Sequence, residues 1–240
     1  MSTAVQFDAV SQHPVGGLGL RLRGEPVVCR PSGALWVETW RALIVADLHL
    51  EKGSFYALRG QMLPPYDTAD TLRRLAAEVA ALCPDVLIFL GDSFHDRDGE
   101  GRLCPDDIAT LGGLVQGRDL LWVTGNHDPD GPKGLPGRAV ANLALGALIL
   151  VHEPAPGPSP GEVAGHLHPC ARVKARGASI RRRCFVTDGE RLILPAFGAL
   201  AGGLNVRHSA FEGLMRARPL AAVLGVGRVH AVGWGSLRDD

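Results

Sequence analysis

Five short apolar runs punctuate the chain, and each is followed at once by a polar cluster. Val86 to Leu90 (Val-Leu-Ile-Phe-Leu) is the plainest, closed by Gly91 and Asp92. An unbroken apolar run with β-branched and aromatic members predicts a strand covered on both faces, and Gly91 lets the backbone turn where Asp92 emerges. Ala42 to Ala46 leads to Asp47-Leu48-His49, Leu120 to Val123 to Thr124-Gly125-Asn126-His127-Asp128, and Ala147 to Val151 to His152. A shorter segment delivers Gly165-His166-Leu167-His168. In open α/β sheets ligands gather at the carboxyl ends of strands, so these clusters are expected to meet at one edge.

Between the runs the periodicity changes. Asp67 or Thr68 can cap a helix whose apolar residues Leu72, Leu75, Ala76, Val79 and Leu82 follow helical spacing until Pro84. A second helix, from Pro105 to about Gln116, is weakened by Gly112-Gly113. The strand, helix, strand rhythm predicts neighbouring parallel strands. Pro26 to Ala46 reads as two short strands leading into a buried one, and Glu51 to Tyr66 as a loop or broken helix beside the strand exits. Pro129 to Gly137 and Pro154 to Gly161 read as loops. After Ala171 the pattern turns to short β pieces, Ala178 to Val186 and Arg191 to Leu194, joined at Thr187-Asp188-Gly189-Glu190, a hairpin signal that predicts a second sheet. Ala196 to Asn205 should wrap tightly, and Leu220 to Trp234 offers one or two more strands. The first dozen residues are weakly patterned and are expected to be loosely held or to pair at a sheet edge.

At 240 residues, 46% hydrophobic, the chain can bury one sizeable core and is read as a single domain over 1–240. No segment approaches the roughly 18 uninterrupted apolar residues of a spanning helix, so the expectation is a soluble, cytoplasmic protein without membrane attachment. Five cysteines, none in a Cys-x-x-Cys pair, are expected to be reduced thiols. The net charge is zero, but residues 1–170 carry 13 Lys/Arg against 20 Asp/Glu and residues 171–240 carry 12 against 5. The basic excess includes Lys174, Arg176, Arg181, Arg182 and Arg183. It reads either as a solvated strand edge or as a surface for a phosphate backbone. Alternation on a regular strand sets Arg182 opposite Arg181 and Arg183, and the expectation is that Arg182 turns inward, toward a buried acid or a substrate phosphate.

Carboxylate, imidazole and amide oxygen are ligands for a borderline divalent metal, and they are too many here for one tetrahedral ion. Two ions sharing Asp92 fit better. Asp47 and His49 would lie on the same side of an extended chain and grip one ion, and His166 and His168 repeat that spacing. Asn126 and His152 give a second ion a mixed oxygen and nitrogen shell, which suits Mn²⁺ or Fe²⁺, with Zn²⁺ an alternative. Two such ions would clamp a phosphoryl group and acidify a bridging water, and His127, not needed as a ligand, is placed to protonate the leaving group. Asp128 either orients His127 or a ligand, or simply starts the turn before Pro129.

Taken singly these pieces are weak, because a histidine after an apolar strand is more often a hydrogen-bonded core residue and Gly-Asp after a strand is common. Their order is the signal. The set Asp47-x-His49, Gly91-Asp92, Gly125-Asn126-His127-Asp128, His152 and Gly165-His166-x-His168 resembles the calcineurin-like metallophosphoesterase superfamily. The strings VADLHLEKGS, LPPYDT, LGDSFHD, GNHDP, GHLHP, RRRCF and LPAFGALAGGLNV are similar to its PdeM branch, the ligase-associated DNA damage response endonucleases. The resemblance implies a four-layer αββα sandwich with two mixed sheets. It implies one metal held by Asp47, His49, Asp92 and His168, the other by Asp92, Asn126, His152 and His166, and Mn²⁺ as the activating ion. Where many members carry a second aspartate three positions after Asp92, this chain has His95, which puts the hydrogen bonding around the metal ligands in doubt. His95 itself reads as a surface or supporting histidine, or as one that reaches substrate.

The expected function is therefore a phosphodiesterase acting on DNA, associated through the resemblance with an ATP-dependent DNA ligase and a helicase. The same chemistry on a small nucleotide is the alternative, since metal ligands fix the reaction and not the leaving group. A binding scaffold with a decayed site is a third reading, opposed by the presence of every expected ligand. A homodimer is compatible with the sequence and not required by it.

Overall fold

The computed structural model describes residues 10–175, 178–216 and 218–240. Arg176 of the basic block and the first nine residues lie outside the described residues.

Among the described residues the first sheet has eight strands in chain order: β1 (Ser11–Gln12), β2 (Leu18–Leu22), β3 (Glu25–Cys29), β4 (Leu35–Val37), β5 (Ala42–Val45), β6 (Val86–Leu90), β7 (Asp119–Val123) and β8 (Arg138–Val140). Its first half is an antiparallel meander and β5 to β8 are parallel, as the strand, helix, strand rhythm predicts for β5 to β7. Parallel strands need crossovers: that from β5 to β6 contains α1 (Lys52–Ala57) with α2 (Asp67–Leu82), that from β6 to β7 contains α3 (Pro105–Val115), and β7 reaches β8 through a loop. Gly112 and Gly113 do not interrupt α3. The hairpin β2–β3 escapes the sequence reading at its first strand, because Leu18, Leu20 and Leu22 stand among glycines and arginines. Ser11–Gln12 pairs at the sheet edge.

Among the described residues the second sheet has ten strands: β9 (Leu143–Leu145), β10 (Leu148–Val151), β11 (Glu162–Ala164), β12 (Pro169–Ala175), β13 (Ala178–Thr187), β14 (Leu192–Ile193), β15 (Leu204–Asn205), β16 (Leu220–Leu224), β17 (Val229–Gly233) and β18 (Leu237–Arg238). β10, β11 and β14 run parallel, and β13–β14 is the hairpin expected around Asp188-Gly189. The tail resolves into two strands, with β18 as a short addition on β12.

Alternation along the buried strands decides which side each residue serves. Ile44, Ile88 and Leu121 stand in register and face the second sheet, where Leu148, Leu150, Val163 and Phe185 meet them. Leu43, Leu87, Phe89 and Trp122 face the other way, onto Leu72, Leu75 and Val79 of α2 and Leu111 of α3. At roughly 25 cal/mol per Å² of apolar area, these two interfaces supply the main driving force for folding. The outer face of the second sheet packs on Val206, Phe211 and Leu214. Among the described residues that fourth layer is loops with short 3₁₀ turns at Ser209–Phe211 and Trp234–Ser236, thinner than the helical layer that an αββα sandwich implies. No described helix is long and apolar enough to cross a membrane.

Candidate active site and metal centre

β5, β6 and β7 end level with one another, because Val45 pairs with Phe89 and Leu90 with Val123. The chain then continues without regular strand geometry. Asp47, His49, Asp92, His166 and His168 all have positive φ, from 45° to 68°. Non-glycine residues in that region cost of order 1–3 kcal/mol each and persist only where surrounding contacts hold them. Here those contacts are backbone hydrogen bonds between two adjacent exits: Asp47 N to Gly91 O at 3.2 Å, His49 N to Asp92 O at 2.9 Å and Leu50 N to Ser93 O at 2.9 Å. The extended-chain explanation for Asp-x-His is therefore corrected. Asp47 and His49 share a side because Leu48 and Leu50 are drawn into the helix-side core, while left-handed turns redirect the residues between.

The side chains meet in two sets. Asp47, His49 and His168 form one, and Asp92, His152 and His166 the other, the candidate ligand atoms within each lying within 4.8 Å of one another. His49 Nε2 and His168 Nε2 are 3.2 Å apart, and His168 Nε2 is 3.3 Å from Asp47 Oδ1. In the second set His166 Nδ1 and His152 Nε2 are 3.3 Å apart. Asp92 joins the sets: its Oδ2 is 3.4 Å from His152 Nε2 and 4.0 Å from His49 Nε2. Its other oxygen accepts the His127 backbone N–H at 2.9 Å. Asn126 is exposed and its side chain makes no hydrogen bond among the described residues. Glycines clear the space between the sets. A Cβ at Gly91 would overlap the His152 imidazole, and one at Gly125 would overlap Asp92.

Electrostatics follow from this packing. Burial pushes the His49 imidazole far below the usual histidine range, and neighbouring His168 adds to the shift. Burial alone would raise the Asp92 carboxyl, but the hydrogen bond and charge of His152, with the His127 amide and His49, hold it well below the usual range. Burial would lower His152, yet the bond to Asp92 and the charge of Asp47 raise it. His49 Nδ1 is buried without a hydrogen-bond partner. A nearly dry cluster of opposed imidazole nitrogens and two carboxylates, with an unpartnered nitrogen at its edge, fits divalent cations of the kind that accept mixed nitrogen and oxygen shells.

His127 is half exposed at the rim, its Nε2 3.9 Å from Asp92 Oδ2. Its Nδ1–H donates to the His95 carbonyl at 2.7 Å, which fixes the ring and leaves Nε2 directed at the site. Asp128 is buried and spends its oxygens on backbone amides, accepting from Ser93 at 2.8 Å, Phe94 at 3.2 Å and Gly125 at 3.1 Å. It clamps the turns after β6 and β7 together rather than bonding the His127 ring. Burial, joined by the charge of Asp92, outweighs those amides and raises its carboxyl to about 6.

His95 is the residue whose importance the sequence understates. Its ring stacks on His127 (centroids 5.4 Å, 21°) and on Tyr56 (5.7 Å, 29°), and meets Phe55 edge-on at 4.6 Å. It also forms a third nitrogen group with His49 and His127. The available signal was its position in the turn after Asp92, next to ligands in the chain. Tyr56 and Phe55 belong to α1, which carried no sequence motif for such contact.

The basic block divides unexpectedly. Arg183 turns inward and donates to the carbonyls of Ala196 (3.1 Å), Gly198 (2.8 Å) and Ala201 (3.1 Å). Arg181 reaches the Gly203 carbonyl at 2.6 Å and Asp240 at 3.3 Å. Arg182 is exposed. The alternation holds, but the expectation that Arg182 is the inward member is reversed, because the 196–203 loop covers the face shared by Arg181 and Arg183.

Residues 41–174, more than half of the chain, match the family model described as calcineurin-like phosphoesterase. The chain belongs to that family. No curated protein matches it in sequence. Among solved structures it is similar to the Pseudomonas putida nuclease MPE, at 28% identity and a TM-score of 0.67, over 89% of this chain and 98% of that one. YfcE, a phosphoesterase from E. coli, is 14% identical with a TM-score of 0.39, over 80% of this chain and 97% of that one, a superposition too loose to carry an argument. As a calcineurin-like phosphoesterase the chain is a metal-dependent phosphoester hydrolase with a dinuclear site.

Proposed function

We propose that this calcineurin-like phosphoesterase is a phosphodiesterase acting on DNA, with Mn²⁺ the activating ion. The reading of the site rests on one observation above others: Asp92 Oδ2 faces imidazoles of both sets. In this reading Asp47, His49, Asp92 and His168 hold one ion, and Asp92, His152, His166 and, after a rotation inward, Asn126 hold the other. When bound, such ions supply Lewis acidity toward phosphoryl oxygens and water.

The chain's own groups do the rest. The glycines at the strand exits let the carboxylate and imidazoles approach within a few ångströms, and Leu48 and Leu50 close the floor against water. His127, oriented by the His95 carbonyl, carries the proton for the departing alkoxide on Nε2, which requires its imidazolium form. The aromatic wall of Tyr56, His95 and His127 is the side on which the leaving portion of the substrate would lie.

Similarity to a bacterial nuclease over nearly the whole chain supports nucleic acid as substrate, and the PdeM-like motifs support DNA and an association with an ATP-dependent DNA ligase and a helicase. The test is cleavage of a labelled DNA oligonucleotide by the purified chain with Mn²⁺, beside bis-p-nitrophenyl phosphate. Cleavage of both is the expected result. Hydrolysis of the small diester with no cleavage of DNA of any structure would move the substrate to small nucleotides.

A further inference from the structure

Four arginines from two distant parts of the chain line one concavity. Arg74 comes from α2 and Arg181, Arg182 and Arg183 from β13, with Pro31, Ser32 and Leu224 completing the wall. The concavity opens at the sandwich edge from which the metal-site residues emerge. Leu35 of β4 pairs with Ile44 of β5, so the turn at Pro31 and Ser32 lies at the exit end of β5, where Asp47 follows. Leu224 arrives there because Val223 pairs with Cys184, next to Arg183.

Three of the four arginines are held by neutral groups alone. Arg74 donates to the Ser32 carbonyl at 2.8 Å and lies over the Phe197 ring at 4.5 Å. Arg183 is fixed by backbone carbonyls, and Arg182 touches only the Arg181 carbonyl, at 3.1 Å. Among the described residues none of these three has a carboxylate within 4.0 Å, and Arg181 shares Asp240 with Arg172. The acids nearest Arg74 along its helix are taken elsewhere, Asp70 by Arg73 and Glu78 by Arg30. Burial lowers the Arg74 guanidinium, and Arg183 adds repulsion. Carbonyls and an aromatic face orient guanidinium forks without cancelling their charge, which leaves donors ready for a planar or tetrahedral oxyanion.

We propose that this concavity is an anion site of the phosphate class, filled by a backbone phosphate of the strand whose scissile bond lies at the metal centre. This rests on the nucleic-acid reading above. The site is open to solvent on one side, as a passing polymer needs, and one segment links it to the centre: Arg183 grips the Gly198 carbonyl, while the Gly198 amide donates to the Asp47 carbonyl at 3.1 Å.

Arg182→Glu is the informative variant, since that side chain supports no other element. Arg21→Glu is the control, an equal charge change on exposed β2, where Arg21 pairs with Pro26 at the start of β3, the end away from Pro31 and Ser32. The full chain, chelated so that substrate stays intact, is titrated with a fluorescent single-stranded oligonucleotide at several salt concentrations, and separately with inorganic phosphate by calorimetry. Arg182→Glu is expected to weaken oligonucleotide binding about tenfold and flatten its salt slope by roughly 0.7 per lost contact, with Arg21→Glu close to the parent. Arg74→Gln should weaken binding in the same direction. Loss of inorganic phosphate binding with oligonucleotide affinity unchanged would overturn the backbone assignment and leave a free-phosphate site. Arg182→Glu matching the parent in both titrations would overturn the site altogether. Failure of the nuclease reading looks different: no metal-dependent cleavage by the unaltered chain.

Discussion

Asp92 has one oxygen committed to the His127 amide and the other turned toward imidazoles of both sets, so no neighbouring group can replace it. Asp92→Asn is expected to abolish metal-dependent hydrolysis and to lower bound metal from two ions per chain, read by elemental analysis of the purified variant. Full activity in that variant would sink the shared-ligand geometry. His127 makes a different prediction, because its Nδ1–H is spent on the His95 carbonyl and only Nε2 serves chemistry. His127→Ala should keep its metal and lose about 100-fold or more in turnover on esters with alkoxide leaving groups, but far less with p-nitrophenolate, which departs without a proton. Equal losses on both kinds of ester would remove the general-acid role. At this scale the sequence reads well where chemistry is repeated, since each motif follows an apolar run. It reads poorly where a side chain's partner is backbone: the amides that occupy Asp128 and the carbonyls that capture Arg183 come from segments distant in sequence and carry no residue signature.

The turn after β6 is an element built from inconsistent local preferences and held by tertiary contacts. Asp92 is left-handed, Ser93 and Phe94 hang from Asp128, and His95 N donates to Leu50 O at 3.0 Å while its ring is packed by Phe55 and Tyr56. Burial is the largest cause that lowers the His95 imidazole to about 4, from an ordinary value of 6.5. A histidine whose folded pKa is depressed favours the unfolded chain once it must take a proton. Its contribution to stability is therefore present above about pH 6.5 and lost as pH falls from there toward 4. Chemical denaturation of the metal-free chain between pH 7.5 and 4.5 should show falling stability, and His95→Phe should lessen that fall while keeping the aromatic stack. An unchanged pH dependence in the variant would assign the acid sensitivity to other groups. The helices were legible from spacing and proline stops, and β5 to β7 from their apolar runs. The left-handed turns were not, because Asp and His in a two-residue spacing look the same in an extended strand.

Across the whole molecule, the site exists because strands of two sheets end at one edge: Asp47, Asp92 and His127 come from the first sheet, and His152, His166 and His168 from the second. Strained turns oppose this convergence, and cations that bind only the folded chain stabilise it. Mn²⁺ at a hundred times its dissociation constant should add about 2.7 kcal/mol, a rise in Tm on the order of 5–10 °C for a chain of this size. Scanning fluorimetry with Mn²⁺ and with chelator reads it, and Asp92→Asn should show little rise, from a metal-free Tm below the parent's because the charge that His152 and His49 favour is gone. The layering was legible because runs buried on both faces signal a covered sheet, whereas the ten-stranded connectivity, with β13 pairing three different strands along its length, was not. One measurement tests the central claim most directly: hydrolysis of bis-p-nitrophenyl phosphate by the full chain, titrated with Mn²⁺ after chelation, in the parent and in Asp92→Asn. The two-ion geometry predicts no turnover after chelation, recovery that saturates at two ions per chain, and none in the variant. Turnover that survives chelation, or that saturates at one ion and persists in Asp92→Asn, would contradict it.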